Sequence, residues 1–218
     1  HTIGNPLSLE QWKIAIDSFY AKGVRHFHIS GRESFLDNRV LDIISYIKRK
    51  DGTFSGLVSN GTGQLHFYRS LINEGVDYLE FSIDGTEDTH NYIRGRGVFN
   101  EVINTLESLS QFSNIIDIST CLNKNSADEY FTIIELCSNL GIKKFFATPF
   151  LESGNGKSFK SFSISPYNYS MLIKESFGYL NKHSNKGIII KYCIPHDDTF
   201  KLIENGVFFK QLLVDYLT

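Results

Sequence analysis

The chain has 218 residues, 41% of them hydrophobic, which is enough to bury the core of one domain with a small extension. Its formal net charge of −2 excludes nucleic acid and anionic membranes as default partners, because neither would be attracted to it in general. No apolar run reaches the roughly 20 residues that cross a bilayer, and no segment resembles a signal peptide, so we expect a cytoplasmic protein.

The first predicted helix begins after Ser8, whose hydroxyl can cap it in a box with Gln11, and ends at Gly23. Its predicted apolar stripe consists of Trp12, Ile16 and Phe19. A strand is predicted at residues 24–30, and the next helix begins at Asp37.

Strand-like and helix-like segments then alternate as far as residue 150. Further strands are predicted at residues 56–59, 78–83, 115–122 and 143–150. Further helices are predicted at residues 64–74 and 98–109 and after the capping pair Ser126 and Glu129. Glycine followed by a β-branched residue leads into three of the strands, at positions 23, 75 and 141. Such repeated βα units predict parallel strands, in either a barrel or a doubly wound sheet.

The pattern changes after Phe150. Residues 151–218 are predicted to form an extension that completes the barrel or leads to a further domain, whereas residues 1–150 form the main domain. Within the extension, Ser165 and Pro166 are expected to cap a helix, residues 187–192 to form a strand, and the last residues to be helical.

Polar residues or glycine follow four of the predicted strands. In parallel βα proteins the carboxyl ends of the strands meet at one edge, where the loops that carry chemistry converge. Turn formation explains any one of these segments, but their joint occurrence predicts a shared pocket. The strand ends are Ser30-Gly31-Arg32-Glu33, Ser59-Asn60-Gly61-Thr62, Ser82-Ile83-Asp84-Gly85 and Thr120-Cys121-Leu122-Asn123.

These segments resemble, in order, the motifs of radical S-adenosylmethionine (SAM) enzymes. Residues 30–36 resemble the Gly-Gly-Glu-Pro motif, residues 60–62 the Thr-Asn-Gly-Thr strand end, and residues 81–85 the fourth-strand motif. Residues 90–99 continue the resemblance, which is closest to peptide-modifying members of the SPASM and twitch type. It implies an α/β fold, a partial (β/α)6 TIM-like barrel of parallel strands, with the first strand of the family expected upstream of His1.

The resemblance implies that Gly31, Arg32 and Glu33 hold the amino group of SAM. An extended strand end exposes backbone carbonyls, and a carboxylate adds charge-assisted hydrogen bonds, so such a segment can bind an ammonium group. The chain departs from the family at two positions. Arg32 stands where the family has its second glycine, and Ser34 replaces the proline.

Further pocket residues are implied on the later strands. Ser82 and Asp84 are expected near the ribose or the carboxylate of SAM, and Arg94 is expected to pair with the carboxylate. The strand end at residues 122–123 is expected nearer the adenine. The remaining residues that the resemblance assigns to the pocket are Asn60, Leu122 and Asn123.

Family members hold a 4Fe-4S cluster through a C-x-x-x-C-x-x-C loop. The cluster passes one electron to SAM, which yields a 5′-deoxyadenosyl radical that takes a hydrogen atom from the substrate. No segment of this sequence matches that loop, and its ligands are expected upstream of His1. The resemblance thus implies SAM and a 4Fe-4S cluster as cofactors, with a modified peptide or protein and an electron donor protein as partners.

The cysteines of the chain are Cys121, Cys137 and Cys193, an odd number at wide spacing that fits neither a disulfide framework nor a C-x-x-C metal site. Cys137 lies in a helical pattern and is predicted to be a small buried hydrophobic residue.

Two other classes of function remain open at this stage. One is a relative without a cluster, which binds SAM or a peptide but performs no radical chemistry. The other is a metal-dependent barrel hydrolase, because His26 and His28 lie on one face of a predicted strand. That class needs further metal ligands at later strand ends, where Asp84 is the one carboxylate available.

Overall fold

Strands and helices alternate throughout the computed structural model, which describes residues 6–31, 33–152 and 154–193. The strands are β1 (His26–Ile29), β2 (Phe54–Ser59), β3 (Tyr78–Ser82), β4 (Ile116–Leu122), β5 (Lys144–Pro149) and β6 (Ile189–Tyr192). The helices are α1 (Leu9–Ala21), α2 (Val40–Lys48), α3 (Leu65–Asn73), α4 (Glu87–Arg94), α5 (Val98–Ser108), α6 (Tyr130–Asn139) and α7 (Pro166–Lys182). Short 3-10 helices cover Ser34–Leu36, Ser110–Ile115, Ala127–Glu129, Gly154–Ser158, Lys160–Phe162 and Ser184–Lys186.

All six strands belong to one sheet, in the order β1-β2-β3-β4-β5-β6, and every neighbouring pair is parallel. Each βα unit therefore adds its strand on the same side as the unit before it. A doubly wound sheet would reverse its strand order part of the way through. The prediction of a partial (β/α)6 barrel with parallel strands is confirmed.

The two faces of the sheet differ in chemistry. One face packs against the helices, and its buried apolar side chains include Leu57, Leu79, Phe81, Ile118 and Phe145. We call the other face the open face. By the strand register it carries Gly56, Tyr78, Glu80, Ser82, Asp117, Ser119 and Lys144. The core thus lies between sheet and helices, and most open-face side chains are polar.

Local predictions about helix α1 are confirmed in part. Ser8 caps it, and the capping box with Gln11 is complete. Of the predicted apolar stripe, Ile16 is buried, but Trp12 is 38% exposed and Phe19 is 53% exposed. That part of the prediction is wrong, because α1 buries a narrow strip against α2.

Helix α2 begins at Val40, so the prediction that it begins at Asp37 is wrong. The Asp37 carboxylate accepts hydrogen bonds from the backbone nitrogen and the guanidinium of Arg39, at 2.8 Å for Nε. This closes a turn in front of the helix. Helix α4 was not predicted, since only one of its eight residues is buried.

The extension beyond Phe150 joins the same sheet. Strand β6 pairs in parallel with β5, and Tyr169, Leu172 and Ile173 of α7 belong to the main core. Ser165 caps α7 as predicted, and its hydroxyl accepts from the backbone nitrogen of Asn168 at 3.1 Å. The predicted C-terminal helix lies outside the described residues. No helix within the described ranges is long and apolar enough to cross a membrane.

Candidate functional site

The ends of strands β1 to β4 lie side by side along the carboxyl edge of the sheet. Gly31 follows β1, Asn60 follows β2, Asp84 follows β3 and Asn123 follows β4. Segments that are far apart in the sequence are thereby brought to one edge, as predicted. Arg32, which the sequence also assigns to this pocket, lies outside the described residues.

The carboxylate of Glu33 connects the end of β1 to the end of β2. Its Oε1 accepts from the Ser59 hydroxyl at 2.8 Å, and its Oε2 accepts from the backbone nitrogen of Asn60 at 2.9 Å. Both oxygens of this side chain are therefore engaged by the neighbouring strand. Gly31, two residues earlier, has no heavy atom within 4 Å of the position a β-carbon would occupy, so open space adjoins its backbone.

A buried hydroxyl pair supports Glu33, and the sequence analysis did not identify it. The Ser59 and Tyr68 hydroxyl oxygens are 2.8 Å apart, and Tyr68 is fully buried. Burial raises the pKa of the Tyr68 phenol, so its proton is retained. Since Ser59 donates to Glu33, Tyr68 donates to Ser59 and accepts from the Gly63 nitrogen at 3.1 Å. The signal available in the sequence was an aromatic hydroxyl on the helix that follows the strand.

Asn60 shapes the loop after β2. Its Oδ1 accepts from the backbone nitrogen of Thr62 at 2.9 Å and from the Thr62 hydroxyl at 2.8 Å, which is an Asx turn. Gly61 has a φ of 80°, and a β-carbon there would lie 2.2 Å from Val102, so no larger residue fits. The Asn60 side-chain oxygen is thus occupied within its own loop.

Asp84 is the most buried acidic residue at this edge, with 2% exposure. Its Oδ2 accepts from Nε of Arg94 at 2.6 Å, and its Oδ1 accepts from the backbone nitrogen of Cys121 on β4 at 2.8 Å. The Arg94 side chain is 27% exposed, and its terminal nitrogens make no hydrogen bond with any described residue. These nitrogens can therefore receive an anionic group.

His90 is fully buried beneath this ion pair. Its Nδ1 accepts from the backbone nitrogen of Asp84 at 3.1 Å, which places the ring proton on Nε2. Burial, reinforced by the charge of Arg94, lowers the pKa of His90 to about 4. His90 is therefore neutral at physiological pH and positions Asp84 from the core side.

The remaining predicted residues divide between the two faces. Ser82 points to the open face, where its hydroxyl lies 3.5 Å from that of Ser119 on β4. Leu122 is fully buried in the core on the helix side, so only its backbone reaches the edge. Asn123 is 3% exposed, and its Oδ1 accepts from the Asn125 nitrogen at 2.9 Å, so its side chain holds the local turn.

The two strand histidines considered as metal ligands instead contact a tyrosine. Tyr78 of β3 crosses over Gly56, and its hydroxyl contacts Nδ1 of His28 and lies 3.4 Å from Nε2 of His26. Burial raises the pKa of Tyr78 to about 12, so it remains a hydrogen-bond donor. No group of three or more potential metal ligands occurs in the described part of the chain.

The cysteines in this region lack the character of cluster ligands. Burial, with the charge of Asp84, raises the pKa of the Cys121 thiol to about 11, and burial raises the pKa of Cys137 to about 12. Cys121 lies on β4 and Cys137 on α6, and the described residues contain no group of three potential ligands of the kind that a cluster needs. Cys137 is fully buried, which confirms its predicted role as a small apolar residue.

A cavity of about 680 Å³ opens beside the end of β1, between α1 and α2. Its lining includes Trp12, Gly31 and Glu33, so the exposed face of Trp12 borders the same edge of the sheet. A cavity of this volume is in the range of small-molecule and cofactor sites.

The chain matches known proteins in sequence. A family model described as the radical SAM superfamily matches residues 2–137. The sporulation killing factor maturation protein SkfB of Bacillus subtilis (strain 168) is 30% identical to the chain over 161 residues, which are 72% of this chain and 39% of SkfB.

Solved structures have the same fold. SuiB of Streptococcus suis bound to S-adenosylmethionine superimposes with a TM-score of 0.74 at 13% identity, covering 97% of this chain and 49% of SuiB. Native anSMEcpe with bound AdoMet gives a TM-score of 0.67 at 16% identity, covering 85% of this chain and 54% of that protein. The chain therefore spans between two fifths and just over half of the length of these relatives.

Proposed function

Since the chain belongs to the radical SAM superfamily, we propose that it is the core of an enzyme that binds SAM at the carboxyl edge and directs radical chemistry to a peptide or protein. The observation that carries this proposal is the meeting of four adjacent parallel strand ends, which Gly31, Asn60, Asp84 and Asn123 follow along one edge. A charged, flexible cofactor needs such groups converging from several strands.

The residues at this edge fit the amino acid part of SAM. The open space beside Gly31 lets its backbone carbonyl accept a hydrogen bond from an ammonium group. The terminal nitrogens of Arg94, at the end of α4, are free to pair with a carboxylate, and Asp84 holds them in place. We assign to the adenosine the backbone of residues 122–123 and Ser82, which lies opposite Ser119 on the open face.

The described residues do not fit a 4Fe-4S cluster. Cys121, Cys137 and Cys193 lie on β4, on α6 and after β6, and they form no group of three potential ligands among the described residues. We propose that the cluster of the whole protein is held by residues outside those described, and we derive no step of the reaction from it.

In the whole protein, bound SAM and a cluster held elsewhere would supply the chemistry, the abstraction of a hydrogen atom from the substrate. The contribution of this chain is to bind and orient the cofactor. Arg94 fixes the carboxylate end, Gly31 fixes the ammonium end, and the open face of the sheet borders the reacting part.

The substrate class and cellular setting are also proposals. SkfB is named as a maturation protein, and SuiB has a structure bound to the precursor peptide SuiA, which supports a peptide substrate here. We propose that an electron donor protein reduces the cluster in the cytoplasm. We further propose that residues 1–150 form the main body of the barrel and that residues 151–218 complete it, which the pairing of β6 with β5 supports.

The test uses the whole protein, prepared without oxygen and loaded with iron and sulfide. With SAM and a chemical reductant, it should release methionine and 5′-deoxyadenosine, measured by liquid chromatography and mass spectrometry. Arg94→Ala should weaken SAM binding about tenfold or more, because a charge-assisted pair is lost. Isothermal titration in the absence of reductant measures this binding.

Arg96→Ala is the matched control, since Arg96 is an exposed arginine two residues away. It should leave SAM affinity within about twofold of the native value. Binding of SAM that is sensitive to Arg94, without any 5′-deoxyadenosine from iron-loaded protein, would identify a relative that performs no radical chemistry. Equal affinities for the native protein and the Arg94 variant would rule out this placement of the cofactor.

A further inference from the structure

Two acidic side chains at the carboxyl edge occupy equivalent places. Glu33 follows β1 and accepts from the backbone nitrogen of Asn60, just beyond β2. Asp84 follows β3 and accepts from the backbone nitrogen of Cys121, near the end of β4. Each carboxylate thus reaches across to the next strand along the sheet.

These contacts occur where the regular strand pairing has ended. The last paired residues of β1 and β2 are Ile29 and Leu57, and those of β3 and β4 are Ser82 and Ser119. Beyond these positions, the N–H groups of Asn60 and Cys121 still point towards the neighbouring strand. That strand no longer offers a backbone carbonyl to accept them. A buried N–H without a partner is unfavourable, and the carboxylate takes the place of that carbonyl.

The second oxygen of each carboxylate is also engaged by a side chain. For Glu33 the donor is the Ser59 hydroxyl, which Tyr68 holds from the core. For Asp84 the donor is Nε of Arg94, at 2.6 Å. Both carboxylates therefore have their oxygens fixed by the protein before any cofactor arrives.

We infer that Glu33 and Asp84 are positioning residues, which act as clamps between strand ends and contribute to SAM binding through the groups they hold. The inference deepens the proposed function and rests on it. Glu33 joins the end of β1 to the end of β2, so it fixes the part of the edge that the whole cofactor contacts, including the Gly31 carbonyl. Asp84 fixes β4 and orients Arg94. Ser59 and Tyr68 belong to the Glu33 clamp although neither is assigned a contact with the cofactor.

The first measurement needs no cofactor. In SAM-free whole protein, Glu33→Gln should increase the exchange rate of the Asn60 amide about tenfold, and Asp84→Asn should do the same for Cys121. An amide side chain has one acceptor oxygen, so it cannot serve both donors. Glu10→Gln is the matched control, because Glu10 is exposed on α1 and pairs only with Lys13 among the described residues. Its variant should leave both rates unchanged.

The second measurement compares two ligands, SAM and 5′-methylthioadenosine, which lacks the amino and carboxyl groups. As a clamp, Glu33 affects the whole edge, so Glu33→Gln should lower the affinities for both ligands by similar factors, about tenfold each. Tyr68→Phe should also lower the affinities for both ligands. This variant removes one hydroxyl without changing the packed ring, so it remains informative if the Glu33 variant does not fold.

A loss of SAM affinity alone, with methylthioadenosine binding and Asn60 exchange unchanged, would identify Glu33 as a direct ligand of the ammonium group and overturn the inference. Unchanged affinities in Tyr68→Phe would also overturn it. If native protein binds neither ligand, the proposed function fails, and the exchange rates of Asn60 and Cys121 still decide whether the clamps exist.

Discussion

Buried polar residues at the carboxyl edge are satisfied by partners that lie far away in the sequence. Glu33 and Ser59 are 26 residues apart, and Asp84 and Cys121 are 37 apart. The sequence predicts that polar residues follow the strands, because turn and motif chemistry is local. It does not predict these pairs, because they depend on where each strand stops pairing with its neighbour. The residues that meet at this edge can therefore be predicted as a set, whereas the contacts among them depend on the register.

His90 gives a prediction for the pH dependence of stability. Its pKa is lowered to about 4 in the folded protein and is near 6.5 in the unfolded chain, so protons bind preferentially to the unfolded chain. The free energy of unfolding should fall as the pH drops from 6.5 towards 4, by up to about 3 kcal/mol from this residue. Urea denaturation at a series of pH values measures the effect.

His90→Gln removes the titrating group while keeping an acceptor for the Asp84 nitrogen. The variant should lose this part of the pH dependence. His66→Gln is the control, because His66 is exposed on α3, and it should retain the native profile. If both variants lose stability below pH 6.5 just as the native protein does, then other groups cause the acid sensitivity.

At the scale of elements, the sequence predicts those segments that carry a strong apolar pattern. Strands β2 to β5 and helices α2, α3, α5, α6 and α7 were located within a few residues, because each has several buried positions. Helix α4 has one buried residue and is instead held by Glu129, which accepts from the Thr86 nitrogen at 2.7 Å. A helix stabilised by a contact from another element leaves little trace in its own sequence.

The centre of β2 provides a test of the open face. A β-carbon at Gly56 would lie 1.9 Å from the ring of Tyr78, which stacks on Phe54 with ring centroids 5.6 Å apart. Gly56→Ala should therefore displace Tyr78 from β2 and His28. We expect a loss of about 1–3 kcal/mol in the free energy of unfolding, measured by urea denaturation.

Gly178→Ala is the matched control for this substitution. Gly178 lies in α7 with no heavy atom within 4 Å of its β-carbon position, so alanine should stabilise the helix by about 0.5–1 kcal/mol. Opposite signs for the two glycine variants would establish the close approach of Tyr78 to β2. A Gly56 variant as stable as the native protein would show that Tyr78 does not cross that strand.

For the molecule as a whole, the extension and the main body share one core. Tyr169 of α7 donates a hydrogen bond to the carbonyl of Cys193 at 2.7 Å and lies 3.2 Å from that of Ala147 on β5. It thereby ties α7 to the last two strands. The change in the strand and helix pattern after Phe150 predicts a domain boundary. Such a change in sequence pattern need not coincide with a break in the sheet. Strand pairing between β5 and β6 crosses it.

Ending the chain after Phe150 should therefore destabilise the whole barrel. It would remove Tyr169, Leu172 and Ile173 from the core, and burial of such side chains contributes roughly 1.5–3 kcal/mol each. That sum is comparable to the total stability of a domain, about 5–15 kcal/mol. It would also leave the side of β5 that faces β6 without a partner, and an exposed strand edge favours aggregation.

Circular dichroism melting and binding of an apolar dye to the shortened and full chains measure this effect. The shortened chain should lose its cooperative transition and bind the dye. Tyr169→Phe in the full chain isolates the hydroxyl, and it should lower the stability by about 1 kcal/mol while keeping the transition cooperative. If residues 1–150 melt cooperatively at the temperature of the full chain, the main body is an independent domain, and α7 and β6 then only cover an already stable barrel.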